Sequence, residues 1–323
     1  MCEMHASETV GSVIEQLVGL LGFRPVESLA VLAIEHGVVR CVLRLDIADA
    51  LSKDAAERLA DLAGGSGADS AFAVFVSAEG FSCPMCEVQF CDVTEGLVAA
   101  LQRQGVRLLA SAVVDRVEAG GRWYCLDRCG KAGVLNDPST STAAAAAVMA
   151  GRRMYGSREE LAASVAVDSE RAEALAPLLA RAGAVDGVAA AVRAAVAAVR
   201  RVAEGAVLSD VELADIGASL LDVRVRDALF TLVECADAGA AEALWSELAR
   251  VLPRPYRVEA LALTAFSSYA RGDGPLAGVV LEAALREDPT HRFTGMLDEA
   301  MQGGLRPEHI RTLVAGMPSA LSM

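Results

Sequence analysis

Aromatic side chains are scarce in this chain. They make up 4% of its 323 residues, as eight Phe, four Tyr and two Trp. Hydrophobic residues nevertheless reach 54%, so the interior must be filled largely by Ala, Val and Leu. Such small side chains allow close helix contacts, and the composition is that of a globular chain rather than a disordered one. Basic residues are also in the minority, with 29 Lys and Arg against 43 Asp and Glu. Both halves share the resulting net charge of −14: residues 1–156 hold 13 basic and 19 acidic residues, and the remainder holds 16 and 24. Clustered Lys and Arg are the footprint of phosphate-backbone binding, and without them nucleic acid is disfavoured as a main partner.

Long apolar runs are missing too. Leu29–Ile34 is strand-length and Ala143–Ala150 is short and Ala-rich, whereas a bilayer span needs about 20 apolar residues. No membrane partner is expected. Met1–Val10 carries two glutamates and no basic, apolar start, so no secretory signal is expected. Eight cysteines spread over a chain with room for two ordinary domains suit a reducing compartment. A cytoplasmic location follows as the expectation. Catalytic signatures are equally sparse: there is no GxSxG, HExxH or P-loop. Of four histidines, His5 lies in the N-terminal tail, His36 in a turn, and His291 and His309 at helix starts. No cofactor is expected, and no reaction is named by any motif.

What is present has a clear order. Val10–Leu21 reads as a helix stopped by Gly22, followed by the breaker cluster Gly22-Phe-Arg-Pro25. Leu29–Ile34 and Val38–Ile47, joined by His36-Gly37, read as a β-hairpin. Ala50–Ala63 reads as an amphipathic helix, Ala71–Ser77 as a strand covered on both faces, and Asp92–Gln104 as a helix. Val106–Val117 and Arg122–Leu126 complete a β-β-α-β-α-β-β order, which predicts an α/β domain with a mixed sheet and flanking helices. Beyond Pro138 only helical signals recur. Ser139–Thr142 is placed to cap Ala143–Ala150, and Ser157 with Glu160 and Ser209 with Glu212 fit capping boxes. Ala172–Ala182 and Val188–Ala203 read as further helices. The expected domains are therefore 1–138, α/β, and 139–323, all helical.

Within the helical part, residues 226–289 repeat at a shift of 36. The shift lays Phe230 on Phe266, Asp237 on Asp273, Ala241 on Ala277 and Pro253 on Pro289. Each copy predicts an apolar helix (Ala228–Ala236; Leu261–Arg271), a tight turn, and a second helix ending at a proline. This is the pattern of tandem helical hairpins, which bury their apolar faces against neighbours. In that register Ala241 and Ala277 sit at helix crossings, Phe230 and Phe266 in the core, and Glu242 and Glu282 at exposed positions.

Two resemblances accompany these patterns. Gly22-Phe23-Arg24-Pro25-Val-Glu-Ser28, Arg44-Leu-Asp46 and Arg122-Trp123-Tyr124 resemble the N-terminal signature of a bacterial family known as domain of unknown function 4192. Ser157-Arg158-Glu159-Glu160-Leu161, Arg226-Asp227-Ala228-Leu229, Leu244-Trp245, Gly272-Asp273-Gly274 and Asp288-Pro289 are similar to its C-terminal pattern. The likeness covers nearly the whole chain and implies no particular activity. Relatives show a cysteine run after the Trp, of which only Cys125 and Cys129 stand here. Separately, Ala277–Pro289 resembles the second helix of a tetratricopeptide repeat, and that likeness implies binding of a protein partner.

The cysteines admit several readings. Cys83-Pro-Met-Cys86 and Cys125-Leu-Asp-Arg-Cys129 have spacings that fit a four-thiolate zinc site, provided the fold brings the two pairs together. The plainer reading is isolated thiols, and no zinc is expected. Cys83 and Cys86 also follow a strand, the position of a redox dithiol at a helix start. Glu87-Val-Gln-Phe-Cys91 does not read as a helix start, so a surface loop is expected instead. Arg44 and Asp46 share one face of a strand, and with Arg24, Glu27, Ser28 and Trp123 they form a candidate ligand pocket or a structural ion-pair cluster. Two functions are carried forward. One is a non-enzymatic scaffold or adaptor binding a protein partner through the helical domain, with self-association open. The other is a small-ligand-binding enzyme or sensor using the polar pocket of the α/β domain.

Overall fold

The computed structural model describes residues 10–182, 187–315 and 320–322. The chain forms two compact units: one runs to Arg158 and includes Gln302–Gly304, and the other holds Glu159–Met301 and the chain from Leu305.

The first unit is built on one six-stranded mixed sheet. Helix α1 (Val10–Leu21) leads into β1 (Ser28–Glu35) and β2 (Val38–Asp46), then α2 (Ile47–Ala50), α3 (Ala55–Gly65) and β3 (Ser70–Val76). A single 3-10 turn, Gly80–Ser82, precedes α4 (Pro84–Arg103); β4 (Arg107–Val114), β5 (Arg122–Cys125), β6 (Ala132–Val134) and α5 (Thr142–Met149) follow. The strand order is β2-β1-β3-β4-β5-β6, with only β3 and β4 parallel. That one parallel pair requires a crossover, and α4 supplies it. β1 is apolar on both faces because both are covered. Leu29, Val31 and Ala33 pack with α3 and α4, whereas Ala30 and Leu32 pack with α1. The expected α/β class, the hairpin turn at His36-Gly37 and the helix Val10–Leu21 are all present. Ala50–Ala63 divides into α2 and α3, and Ala132–Val134 adds a strand too short to register as a sequence pattern.

α5 belongs to this unit because it closes on α1. Gly19 permits it: a Cβ there would lie 2.2 Å from the Ala144 nitrogen and 2.3 Å from the Ala143 carbonyl carbon. Gln16 Oε1 accepts from Ala143 N–H (2.8 Å) and Thr142 Oγ1 (3.0 Å), and Ser141 caps the helix through Ala144 N–H. The compact units thus divide after Arg158, beyond the stretch around Pro138 where composition changes.

The second unit is helical, and no strand is present among its described residues. Its elements are α6 (Arg158–Ala163), α7 (Ser169–Leu179), α8 (Val188–Ala203), α9 (Asp210–Ser219), α10 (Val223–Leu229), α11 (Ala238–Val251), α12 (Tyr256–Ala270), α13 (Gly274–Glu287), α14 (Arg292–Gln302) and α15 (Pro307–Ala315). The capping box at Ser209 and Glu212 forms in both directions. The 36-residue shift maps α11 onto α13, end to end. It fails for the first helices. Instead of a helix over Ala228–Ala236, α10 ends at Leu229 and a 3-10 segment covers Phe230–Glu234. β-branched Thr231 and Val233 disfavour the α form, and the Thr231 hydroxyl bonds back to the Ala228 carbonyl (2.7 Å).

α12 is the axis of this unit. Among residues 257–270 only Glu259 is less than fully buried, and the helix is flanked by α11, α13 and α15. Phe230, Phe266 and Phe293 form one aromatic cluster, with centroids 4.5 Å apart for Phe230–Phe266 and for Phe230–Phe293. Ala241 and Ala277 are buried at their helix contacts and Glu282 is exposed, in keeping with the repeat register. Glu242 departs from it: its side chain is only 19% exposed and faces Arg271. Burial pushes its carboxyl up to about 7, against the pull of Arg271. Among the described residues no helix is long and apolar enough to cross a membrane.

Candidate functional site

The polar residues singled out in the sequence gather at one end of the sheet. β1 starts there, β2 ends there, and the carboxyl ends of the parallel pair β3 and β4 open onto it. In α/β sheets that is where crevices for ligands form. Ser28 stands opposite Asp46 in the β1–β2 ladder and opposite Val76 in the β1–β3 ladder. Arg44 is opposite Ala30, so Ser28, Arg44 and Asp46 share one face at neighbouring positions.

Arg44 Nη2 donates to Asp46 Oδ1 (2.6 Å) and to the Val26 carbonyl (3.3 Å), and the guanidinium lies over the Phe23 ring at 6.0 Å. The Phe23–Val26 segment therefore covers it. Two buried polar atoms at this end of the sheet have no hydrogen-bond partner: Ser28 Oγ, on a residue 0% exposed, and Arg44 Nε. Leaving a buried donor unpaired costs about 1–3 kcal/mol. A third irregularity adjoins them. Glu27 has φ +39°, in the left-handed region that bulky residues avoid. Its carboxylate holds that geometry, accepting from Ser77 Oγ (2.9 Å) and Ala78 N–H (3.1 Å), while its carbonyl accepts from Ile47 N–H (3.0 Å). Ser77 Oγ in turn accepts from Gly80 N–H (2.8 Å), which ties this corner to the start of α4.

Two of the expected pocket residues lie elsewhere. Arg24 turns to Glu118, with Nη1 3.2 Å from Oε1. Trp123 is a core residue on β5, three strands away from β1 and packed where Gly11 and Gly133 leave room for its indole. Both glycines would place a Cβ within about 3 Å of its Nε1 (2.8 and 3.0 Å). Ser77 was missed by the sequence reading, although a serine directly after a wholly apolar strand run is a usable signal for it. Asp115, also missed, is buried and accepts from Arg122 N–H (2.8 Å), Arg122 Nε (3.2 Å) and Arg116 Nη1 (3.1 Å). It closes the β4–β5 turn.

The cysteine pairs remain separate. Among the described residues, the group of three or more candidate ligand atoms found within 4.8 Å of one another is Cys125, Asp127 and Cys129; Cys83 and Cys86 do not join it. A four-thiolate site is therefore not assembled. Burial pushes the Cys125 thiol up to about 12, with a hydrogen bond to Cys129 adding to it. The loop expected around Cys83 and Cys86 is in fact the first turn of α4, eight residues ahead of the helix start expected at Asp92. Cys83 caps the helix and Pro84 takes its first position, where a missing N–H costs nothing. His36 lies in the β1–β2 turn at φ +51°. His291 caps α14, with Nδ1 3.3 Å from Thr294 N and Nε2 3.4 Å from Glu259. His309 lies near the start of α15. His5 lies outside the described residues.

No curated protein and no solved structure matches this chain. A family model described as Domain of unknown function (DUF4192) matches residues 11–308, nearly the full length. With 298 of 323 positions inside that match, the chain belongs to the DUF4192 family.

Proposed function

We propose that the α/β unit is a small-ligand sensor, with the site at the Ser28–Arg44–Asp46 end of the sheet. The observation that carries this reading is the pair of unpaired buried atoms, Ser28 Oγ and Arg44 Nε, in the corner where Glu27 is held in a strained conformation. Buried polar groups without partners and backbone strain concentrate at functional sites. A hydroxyl and a guanidinium N–H together call for an acceptor oxygen, so the ligand class is a small carboxylate or carbonyl compound. Asp46 already neutralises Arg44, which favours weakly charged molecules over phosphates. The ligand enters when the Phe23–Val26 segment lifts from Arg44, and Glu27 is the joint at its end. Thermal-shift screening of carboxylates, amides and phosphates tests the reading against wild type and Arg44→Gln. At least one carboxylate or carbonyl compound should raise the wild-type Tm and leave the variant unchanged. A panel that shifts both proteins equally, or neither, overturns it.

A second reading, partner binding through the helical unit, is supported by apolar side chains exposed around α9: Val207 (93% exposed), Val211, Leu221 and Val223. A tetratricopeptide-like groove is not its support, because the helix that would line such a groove, α12, is buried. A protein or a second copy of the chain recovered with wild type, and lost with Val207→Asp/Val211→Asp, is the result this reading requires. A cytoplasmic location suits either reading, since Cys83, Cys86, Cys91, Cys125, Cys129 and Cys235 are free thiols.

A further inference from the structure

The sequence Cys83-Pro84-Met85-Cys86 lies at the amino end of α4, a 20-residue helix. Cys83 is the capping residue, and its Sγ accepts the Cys86 N–H at 3.4 Å. Both thiols are half-buried and reachable from solvent. The turn that presents them is firmly anchored. Phe90, one turn further along α4, stacks on Phe75 of β3 with centroids 4.5 Å apart. Gly80 makes room for it: a Cβ there would lie 2.8 Å from the Phe90 ring. Two exposed apolar side chains lie beside the thiols, Met85 (77% exposed) and Val88 (60%), three residues apart on one face.

We propose that Cys83 and Cys86 form an exchange dithiol that acts on disulfides of peptide or protein substrates. This activity is independent of the ligand site proposed above. Cys83 is the attacking residue. Its thiolate attacks one sulfur of a substrate disulfide, forming a mixed disulfide and releasing the other substrate sulfur as a thiolate. Cys86 then loses its proton to solvent and attacks Cys83 Sγ, which forms the Cys83–Cys86 disulfide and releases the second substrate thiolate. The two leaving thiolates take up protons, so the substrate gains two electrons and the dithiol loses two. The reverse sequence oxidises a dithiol substrate.

The division of roles follows from the helix start. Hydrogen bonds from the Cys86 side chain, then from the Cys86 and Met85 backbone N–H groups, pull the Cys83 thiol below its ordinary value. The same thiol contact, followed by burial, pushes Cys86 up, as suits a resolving thiol that keeps its proton until needed. Glu79 opposes the effect on Cys83 without reversing it. Met85 and Val88 give an extended peptide an apolar surface to lie on, which is the reason for naming a peptide substrate.

The test uses the full chain carrying Cys125→Ser and Cys129→Ser, so that the second thiol pair does not contribute. Equilibration in glutathione buffers, acid quenching and alkylation, read by mass spectrometry, should reveal a Cys83–Cys86 disulfide that forms in a single two-electron transition. Cys83 should alkylate faster than Cys86, by about threefold for each pKa unit between them once the lower intrinsic nucleophilicity of the more acidic thiol is included. Added to that background, Cys86→Ser should accumulate a glutathione adduct at Cys83, and Cys83→Ser should give less than a tenth of that adduct at Cys86. A disulfide-bonded peptide with apolar flanks should react several-fold faster than one with acidic flanks. Equal adducts in the two variants, or no Cys83–Cys86 disulfide in any buffer, would overturn the dithiol. Equal rates for the two peptides would overturn the substrate class.

Discussion

Gly19→Ala is the sharpest perturbation of the sheet unit. In an ordinary helix this change stabilises by about 0.5–1 kcal/mol, because Ala is the better helix former. Here the new methyl group would meet backbone, not side chains: the Ala144 nitrogen at 2.2 Å, the Ala143 carbonyl carbon at 2.3 Å and the Ala144 Cα at 2.6 Å. No rotamer change relieves that clash, so α5 must move away from α1. Overpacking of this kind costs about 1–3 kcal/mol. The displacement also breaks the two bonds from Thr142 and Ala143 to Gln16, worth about 1 kcal/mol each. Offset by the helix preference, the expected net loss is about 2–4 kcal/mol. Gly96 in α4 is the matched control, since a Cβ there meets only Ala56 Cβ at 3.7 Å, an ordinary contact. Gly96→Ala should stabilise the same unit by about 0.5–1 kcal/mol. Native-state hydrogen exchange of β1 and β3 peptides against urea reports the sheet unit alone. If both variants shift its stability in the same direction, α5 does not close on α1 at Gly19.

The helical unit provides two further tests. Phe266→Ala should cost about 3–5 kcal/mol and Ala277→Leu about 1–3 kcal/mol, with Glu282→Ala within about 0.5 kcal/mol; equal urea midpoints for all three would contradict the packing around α12. Glu242 should make stability fall as pH rises from about 4.5 to about 7, because the unfolded chain ionises at the ordinary value while the folded one holds its proton until about 7. Glu242→Gln should therefore gain on wild type at pH 8 more than at pH 5, and an equal difference at the two pH values would count against a protonated buried carboxyl.

Much of this architecture is legible in the residue order. Capping pairs, stop glycines and runs covered on both faces place α1, β1, β2, β3 and α8 within a residue or two, and the capping box marks the start of α9, because each carries its own local signal. What escapes is set by tertiary contact. α4 starts eight residues early because the helix signal expected at Asp92 is overridden by a Cys cap, a proline at the first position and the anchoring of Phe90 on Phe75. The 36-residue repeat is real in α11 and α13, yet it fails in α10 because two β-branched residues shorten that helix. At the candidate site, strand alternation and register place Ser28, Arg44 and Asp46 together. Period alone cannot separate Trp123 from them, since all four share a sheet face. The strand order does so, and nothing local in the sequence encodes it.

The central claim is that the Ser28–Arg44 corner binds a small acceptor-bearing ligand. Its most direct test is calorimetric titration of the compound that raises the wild-type Tm, against wild type, Ser28→Ala, Arg44→Gln and the distant control Glu282→Ala. Loss of a hydrogen bond to a charged group costs about 1.5–3 kcal/mol, so Arg44→Gln should weaken binding by roughly tenfold to a hundredfold. Ser28→Ala should weaken it by about threefold to tenfold, in keeping with a neutral hydrogen bond of about 0.5–1.5 kcal/mol, and Glu282→Ala should leave it unchanged. Equal affinity in all four proteins would contradict the account.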